Sequence, residues 1–155
     1  MSEMDLFPVG LSGFRVVSLR ADPPHTDDQE RVTYRVGILR HEDHVRLIGI
    51  LTVFGEKARG LVVVEGDAVW RNSDFLTPIT EMPDEECIRT VKNSYAVHNL
   101  YDAAALALRQ SFGLLGKNQT VAELTPDPVV DFIEPEEGDE ASDASEDAAA
   151  TTVAG

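Results

Sequence analysis

The chain has 155 residues, and its 28 acidic side chains against 13 basic ones give a net charge of −15. One domain's length suffices for a single core without covalent staples. The lone cysteine, Cys87, excludes a disulfide framework and a multi-cysteine zinc site, which fits a reducing compartment. No run of roughly 18 apolar residues occurs, and the first ten residues lack a basic stretch leading into an apolar one, so neither membrane insertion nor a signal peptide is expected and a cytoplasmic location follows.

The charge is unevenly spread. From Glu134 to Gly155 there are eight acids and no base, while the other 20 acids and all 13 bases lie upstream, leaving −7 there. That segment has no aromatic residue and only Val153 to bury, so a disordered acidic tail is expected, either solubilising or attractive to a basic partner. Nucleic-acid binding is not expected, because no Lys/Arg cluster is available to displace counterions from a phosphate backbone. The expected organisation is a leader (1–11), a single α+β domain (12–133) and the tail (134–155).

In chain order, "GFRVVSLRA" (13–21) predicts a strand with Phe14 and Val16 on one side and Val17 and Leu19 on the other. "DPPHTDDQE" (22–30) ends it, since prolines cannot donate to a ladder. A hairpin follows: "RVTYRVGILR" (31–40) places Val32, Tyr34, Val36 and Ile38 on one face, and "VRLIGILTVF" (45–54) mirrors it across "HEDH". "LVVVEGDAVWR" (61–71) predicts a fourth strand with a bulge or sharp bend at its "EGD" centre. The connections are too short for parallel crossovers, so a four-stranded antiparallel meander or a close variant is expected.

After "SDFLTPITEMP" the period changes from two to 3.6. Pro83 suits a helix start, with Asp84, Glu85 and Glu86 complementing its dipole. The helical pattern continues to Gly113 or Gly116, as one long helix or as two interrupted near Asn93, Ser94 or Asn99. "PDPVVDFI" (126–133) reads as an extended arm.

The strand at 45–54 is apolar on both faces, and "HNLYDAAALALRQSFGLLG" (98–116) is apolar far round its circumference. A sheet with one wet face alternates with polar residues, and these strands do not. Such surfaces call for burial on more than one side, by the chain's own layers, a sister subunit or a client.

Chemical signatures are sparse. "HEDH" (41–44) offers His41, Glu42, Asp43 and His44, but at a hairpin tip alternate side chains diverge, and the spacing is not that of a helical zinc protease. Cys87 falls on the apolar side of its helix, and His98, eleven positions on, lies about 16 Å further along it. No nucleophile elbow, phosphate loop or dinucleotide fingerprint occurs, so no enzyme, metal or cofactor is expected.

Three stretches carry a family resemblance: "VVVEGDAVWR" (62–71), "HNLYDAAALALRQSFGLL" (98–115) and "TPDPVVDF" (125–132). With the order of four strands, long helix, Pro-containing segment and acidic tail, the chain resembles the SecB chaperones of protein export and the SecB-like chaperones of toxin–antitoxin systems. The resemblance implies a non-enzymatic holdase, oligomeric as a dimer or tetramer, that holds unfolded polypeptides in apolar grooves between sheet and helix. Large apolar groups near that seam, Val62, Val64, Trp70, Tyr101, Leu106 and Phe112, are the candidate contacts. Two alternatives are a scaffolding subunit of a larger assembly or virion, using the same faces for one fixed partner, and an acidic mimic of nucleic acid.

Overall fold

The structure, a computed structural model, describes residues 6–24, 29–70 and 79–134, with the Trp70 side chain outside the description. Chain order is β1 (Val9–Asp22), β2 (Arg31–Arg40), β3 (Val45–Phe54), β4 (Arg59–Trp70), α1 (Asp84–Lys92), α2 (Tyr95–Leu114) and β5 (Val129–Phe132). All five strands form one sheet in the order β1-β4-β3-β2-β5.

The middle of this sheet follows the hydrophobic pattern. β2, β3 and β4 form consecutive antiparallel hairpins, with Arg40 opposite Val45 and Phe54 opposite Arg59. β1 departs from a meander by pairing antiparallel with β4. The eight residues from 23 to 30 reach about 26 Å when extended, whereas β1 and β2 stand three strand spacings, about 14 Å, apart. A connection too short for a parallel crossover is therefore long enough to skip two strands.

The expected four-stranded antiparallel sheet is a five-stranded mixed one. The arm at 126–133 supplies β5, which runs parallel to β2 from Arg35 opposite Val129 to Ile38 opposite Phe132. α2 provides the long crossover that a parallel pair requires. Pro126 and Pro128 precede the strand, where they remove no ladder donor.

Two helices, not one, follow the sheet. The break is at Asn93–Ser94, where Ser94 is extended (φ −116°, ψ 163°) and its hydroxyl donates to the Val91 carbonyl at 2.7 Å. The Asn93 amide donates likewise to the Arg89 carbonyl at 3.0 Å. Both side chains offer the backbone a local alternative to the helical ladder. The segment before β1 holds this break open: the Phe7 N–H donates to the Asn93 carbonyl at 2.8 Å, and Phe7 bridges Ser94. α2 ends in a Schellman motif, with Gly116 left-handed (φ 67°), its N–H on the Gly113 carbonyl (3.0 Å) and the Lys117 N–H on the Phe112 carbonyl (2.9 Å).

The core lies between α2 and one face of the sheet. Val97, Leu100, Ala104, Leu108 and Phe112 of α2 meet Tyr34, Val36, Leu47, Leu51, Val62 and Val64, all buried. Tyr34 and Tyr101 pack edge to face with centroids 5.3 Å apart. The Tyr34 hydroxyl donates to the Val97 carbonyl at 2.6 Å and the Tyr101 hydroxyl to Ala122, so each buried phenol keeps a partner. The second apolar face of β3, Ile48 and Ile50, is half-buried, and among the described residues no helix or strand lies over it.

Candidate functional site: a groove between the first strand and the long helix

Two bulges on β1 build the site. The register with β4 slips between Ser12 and Arg15 and again between Val16 and Ser18. Gly13 sits in the first bulge at φ 62°, a left-handed conformation that glycine adopts without penalty. The bulge anticipated at "EGD" is thus on the opposite strand. Gly66 on that strand acts through its lack of a side chain. A Cβ there would meet the Phe14 Cβ at 3.0 Å, so its bare Cα seats Phe14 against the sheet.

The second bulge changes which side chains share a face. Val16 pairs with Val64 and Leu19 with Val62, and both valines face α2, so Leu19 joins Val16 on that side. Simple alternation placed them on opposite faces, because it did not count the inserted Val17. An inserted residue reverses every side chain beyond it.

The result is an apolar groove of about 520 Å³ between β1 and the flank of α2, lined by Leu11, Phe14, Val16, Ala103, Leu106 and Ala107. Asn99, Asp102 and Gln110 supply its polar rim. Phe14 is 56% exposed, Val16 46% and Leu106 55%, so the groove floor stays open to solvent. α2 lies across β1, β4 and β3, and its row Ala103, Leu106 and Ala107 stands over β1. Small side chains at 103 and 107 make the concavity.

The six candidate contacts divide accordingly. Leu106 lines the groove. Val62 and Val64 of β4 and Tyr101 and Phe112 of α2 are all buried in the core. Trp70 ends β4 opposite Val9, its side chain outside the description. Phe14 and Val16, the large apolar groups that the groove does present, were legible as apolar but not as accessible, because β1's place at the edge is a tertiary fact.

The other chemical candidates are isolated. His41 and His44 stack at the β2–β3 tip with centroids 4.3 Å apart, and His44 bonds Asp43 at 2.6 Å, holding that carboxyl below its usual range. Among the described residues no group of three or more His, Cys, Asp or Glu side chains is arranged to hold a metal ion. Cys87 is buried; desolvation pushes its thiol up, against an opposing pull from Arg40. His98 is engaged with the Thr125 hydroxyl at 2.8 Å. Among the described residues no helix is long and apolar enough to cross a membrane.

No protein-family model and no curated protein sequence matches the chain. Among solved structures, its fold is similar to that of the SecB-like chaperone Rv1957 of Mycobacterium tuberculosis, in complex with a ChAD peptide from the Rv1956 HigA1 antitoxin. The TM-score is 0.53 at 11% sequence identity, over 77% of this chain and 88% of that one. At that identity the likeness is one of fold: a SecB-like α+β arrangement of sheet and helices.

Proposed function

We propose that the protein is a non-enzymatic, SecB-like chaperone that holds non-native polypeptides, as a homo-oligomer (dimer or tetramer), in the groove between β1 and α2. The observation that carries this reading is the groove itself, an open apolar concavity floored by Phe14, Val16 and Leu106 within a SecB-like fold. Apolar burial recognises composition more than sequence, at about 25 cal/mol per Å² before ordering costs, which suits a holdase serving many clients. Asp102 on the rim favours clients with basic residues beside their apolar ones. Protein export and toxin–antitoxin control are both settings for such a protein.

The test is suppression of aggregation of a refolding model substrate by the full chain and by Leu106→Gln. Leu106 is exposed, so its replacement leaves stability within about 0.5 kcal/mol, while suppression weakens several-fold. Equal suppression by both proteins, or none by either, sinks the reading. A single stoichiometric partner with no affinity for unfolded chains assigns the groove instead to a scaffolding role.

A further inference from the structure

The face of the sheet away from α2 has a charge unlike the rest of the chain. Register places Arg15, Arg20, Arg31, Arg35, Arg46 and Arg59 on it, six of the ten arginines. They surround a half-buried apolar strip that includes Ile48, Ile50 and Val63. Among the described residues four carboxylates share this face, each near an arginine: Glu65 with Arg15 (2.6 Å), Asp67 with Arg46 (3.0 Å), Asp22 with Arg20 (2.7 Å) and Asp131 with Arg35 (3.9 Å). Arg59 is 3.9 Å from the same Asp22, and Arg31 lies 4.3 Å over the Phe54 ring. Positive charge is left over, and the Arg15, Arg20 and Arg35 side chains remain 71%, 73% and 65% exposed despite their partners.

The acidic segment starts on this same face. β5 delivers the chain to Ile133, whose N–H donates to the Ile38 carbonyl at 2.9 Å. The Ile133 side chain fills the space above Gly37, where any Cβ would collide with it. Asp131, opposite Gly37, lies on that face too. Glu134 follows at once, then 21 further residues with seven acids and no base. Extended, 21 residues reach about 70 Å, against about 20 Å across five strands. Tethering also sets a local concentration on the order of millimolar, above that of any acidic partner in trans at ordinary concentrations.

We propose that this arginine face is an interaction surface for acidic polypeptide, and that its resident occupant is the chain's own segment 134–155, laid back over the sheet from the β5 edge. Charge complementarity and the point of departure select this occupant over a second copy or a foreign chain. The segment needs no single fixed conformation, since spaced carboxylates match spaced guanidiniums in many registers. An external acidic partner must then displace it.

The experiment compares amide NMR spectra of the full chain and a full-length variant carrying E136Q, E137Q, D139N, E140Q, D143N, E146Q and D147N. The expected result is shift differences at Ser18, Arg35, Ile50 and Val63 that disappear in about 1 M NaCl, where the Debye length is about 3 Å. These differences should be unchanged on tenfold dilution, and a synthetic peptide of residues 134–155 should restore them in the variant but not in one that also carries R20Q and R35Q. Superimposable sheet amides, differences confined to the Phe14–Leu106 groove, or differences that fade on dilution would each overturn the proposal, the last by assigning the segment to a neighbouring copy.

Discussion

Tyr34 shows what a single residue contributes. It is a large ring on a strand whose neighbours are valine and isoleucine, and alternation alone assigns it inward, where it is buried. Packing adds two things that alternation does not contain, the edge-to-face contact with Tyr101 and the hydrogen bond to Val97. Burial, with a smaller contribution from the Asp102 charge, raises the Tyr34 phenol above its ordinary value of 10.0. An acid raised in the folded state contributes stability that is complete below the unfolded value. That stability is lost as pH climbs past 10, because the unfolded chain ionises first. Tyr34→Phe should therefore cost about 1 kcal/mol at neutral pH and show a shallower loss above pH 10 in urea titrations. Parallel alkaline slopes for the two proteins would contradict the burial account. Leu106 is the opposite case, with the same apolar chemistry as Leu100 one helical face away, yet open to solvent while Leu100 is fully buried.

Among the elements, β1 departs most from a plain reading. Its sequence alternates poorly because two residues are inserted, and each bulge re-aims the side chains that follow. Gly13 is the backbone device that permits the first. Nothing lies within 4 Å of a Cβ built there, so Gly13→Ala meets no clash and tests conformation alone. A left-handed alanine costs about 1 kcal/mol, and the expected outcome is a loss of that size in chemical denaturation together with weaker holding by the groove, as Phe14 shifts on Gly66. Full stability in Gly13→Ala would remove the strain argument. The helices were more legible. Acidic first turn, interruption near Asn93 and Ser94 and glycine stop at 116 are all local chemistry, and each is where the pattern placed it or among its alternatives. β5 was not legible as a strand, since four residues between prolines and acids carry little periodic signal and pair only because β2 has a free edge to offer.

For the whole molecule, three surfaces separate by direction. The groove opens beside α2, the arginine face lies opposite, and the free edge of β1 lies in the plane of the sheet. Beyond the groove residues, that edge strand exposes Val17 and Leu19, and exposed apolar side chains on an edge strand favour association. Its bulges interrupt a continuous ladder, so side-chain burial would hold the copies together. Sedimentation should accordingly give a multiple of 17.0 kDa, and Val17→Lys, on the inserted residue, should shift the population toward the single chain. A wild-type mass of one chain would exclude self-association.

Residue order alone determined the α+β class, three hairpin strands, the helical region with its break among the named alternatives, and the concentration of negative charge after Glu134. These depend on period, local backbone chemistry and composition, all of which act over a few residues. Only the tertiary structure decided that β1 crosses to β4, that the arm at 126–133 becomes β5, and that Val62, Val64, Tyr101 and Phe112 are buried between α2 and the sheet while Phe14 and Val16 stay open. Accessibility depends on which strand is at the edge and how far one helix extends across the sheet. Those relations join residues more than forty positions apart, and no local pattern encodes them.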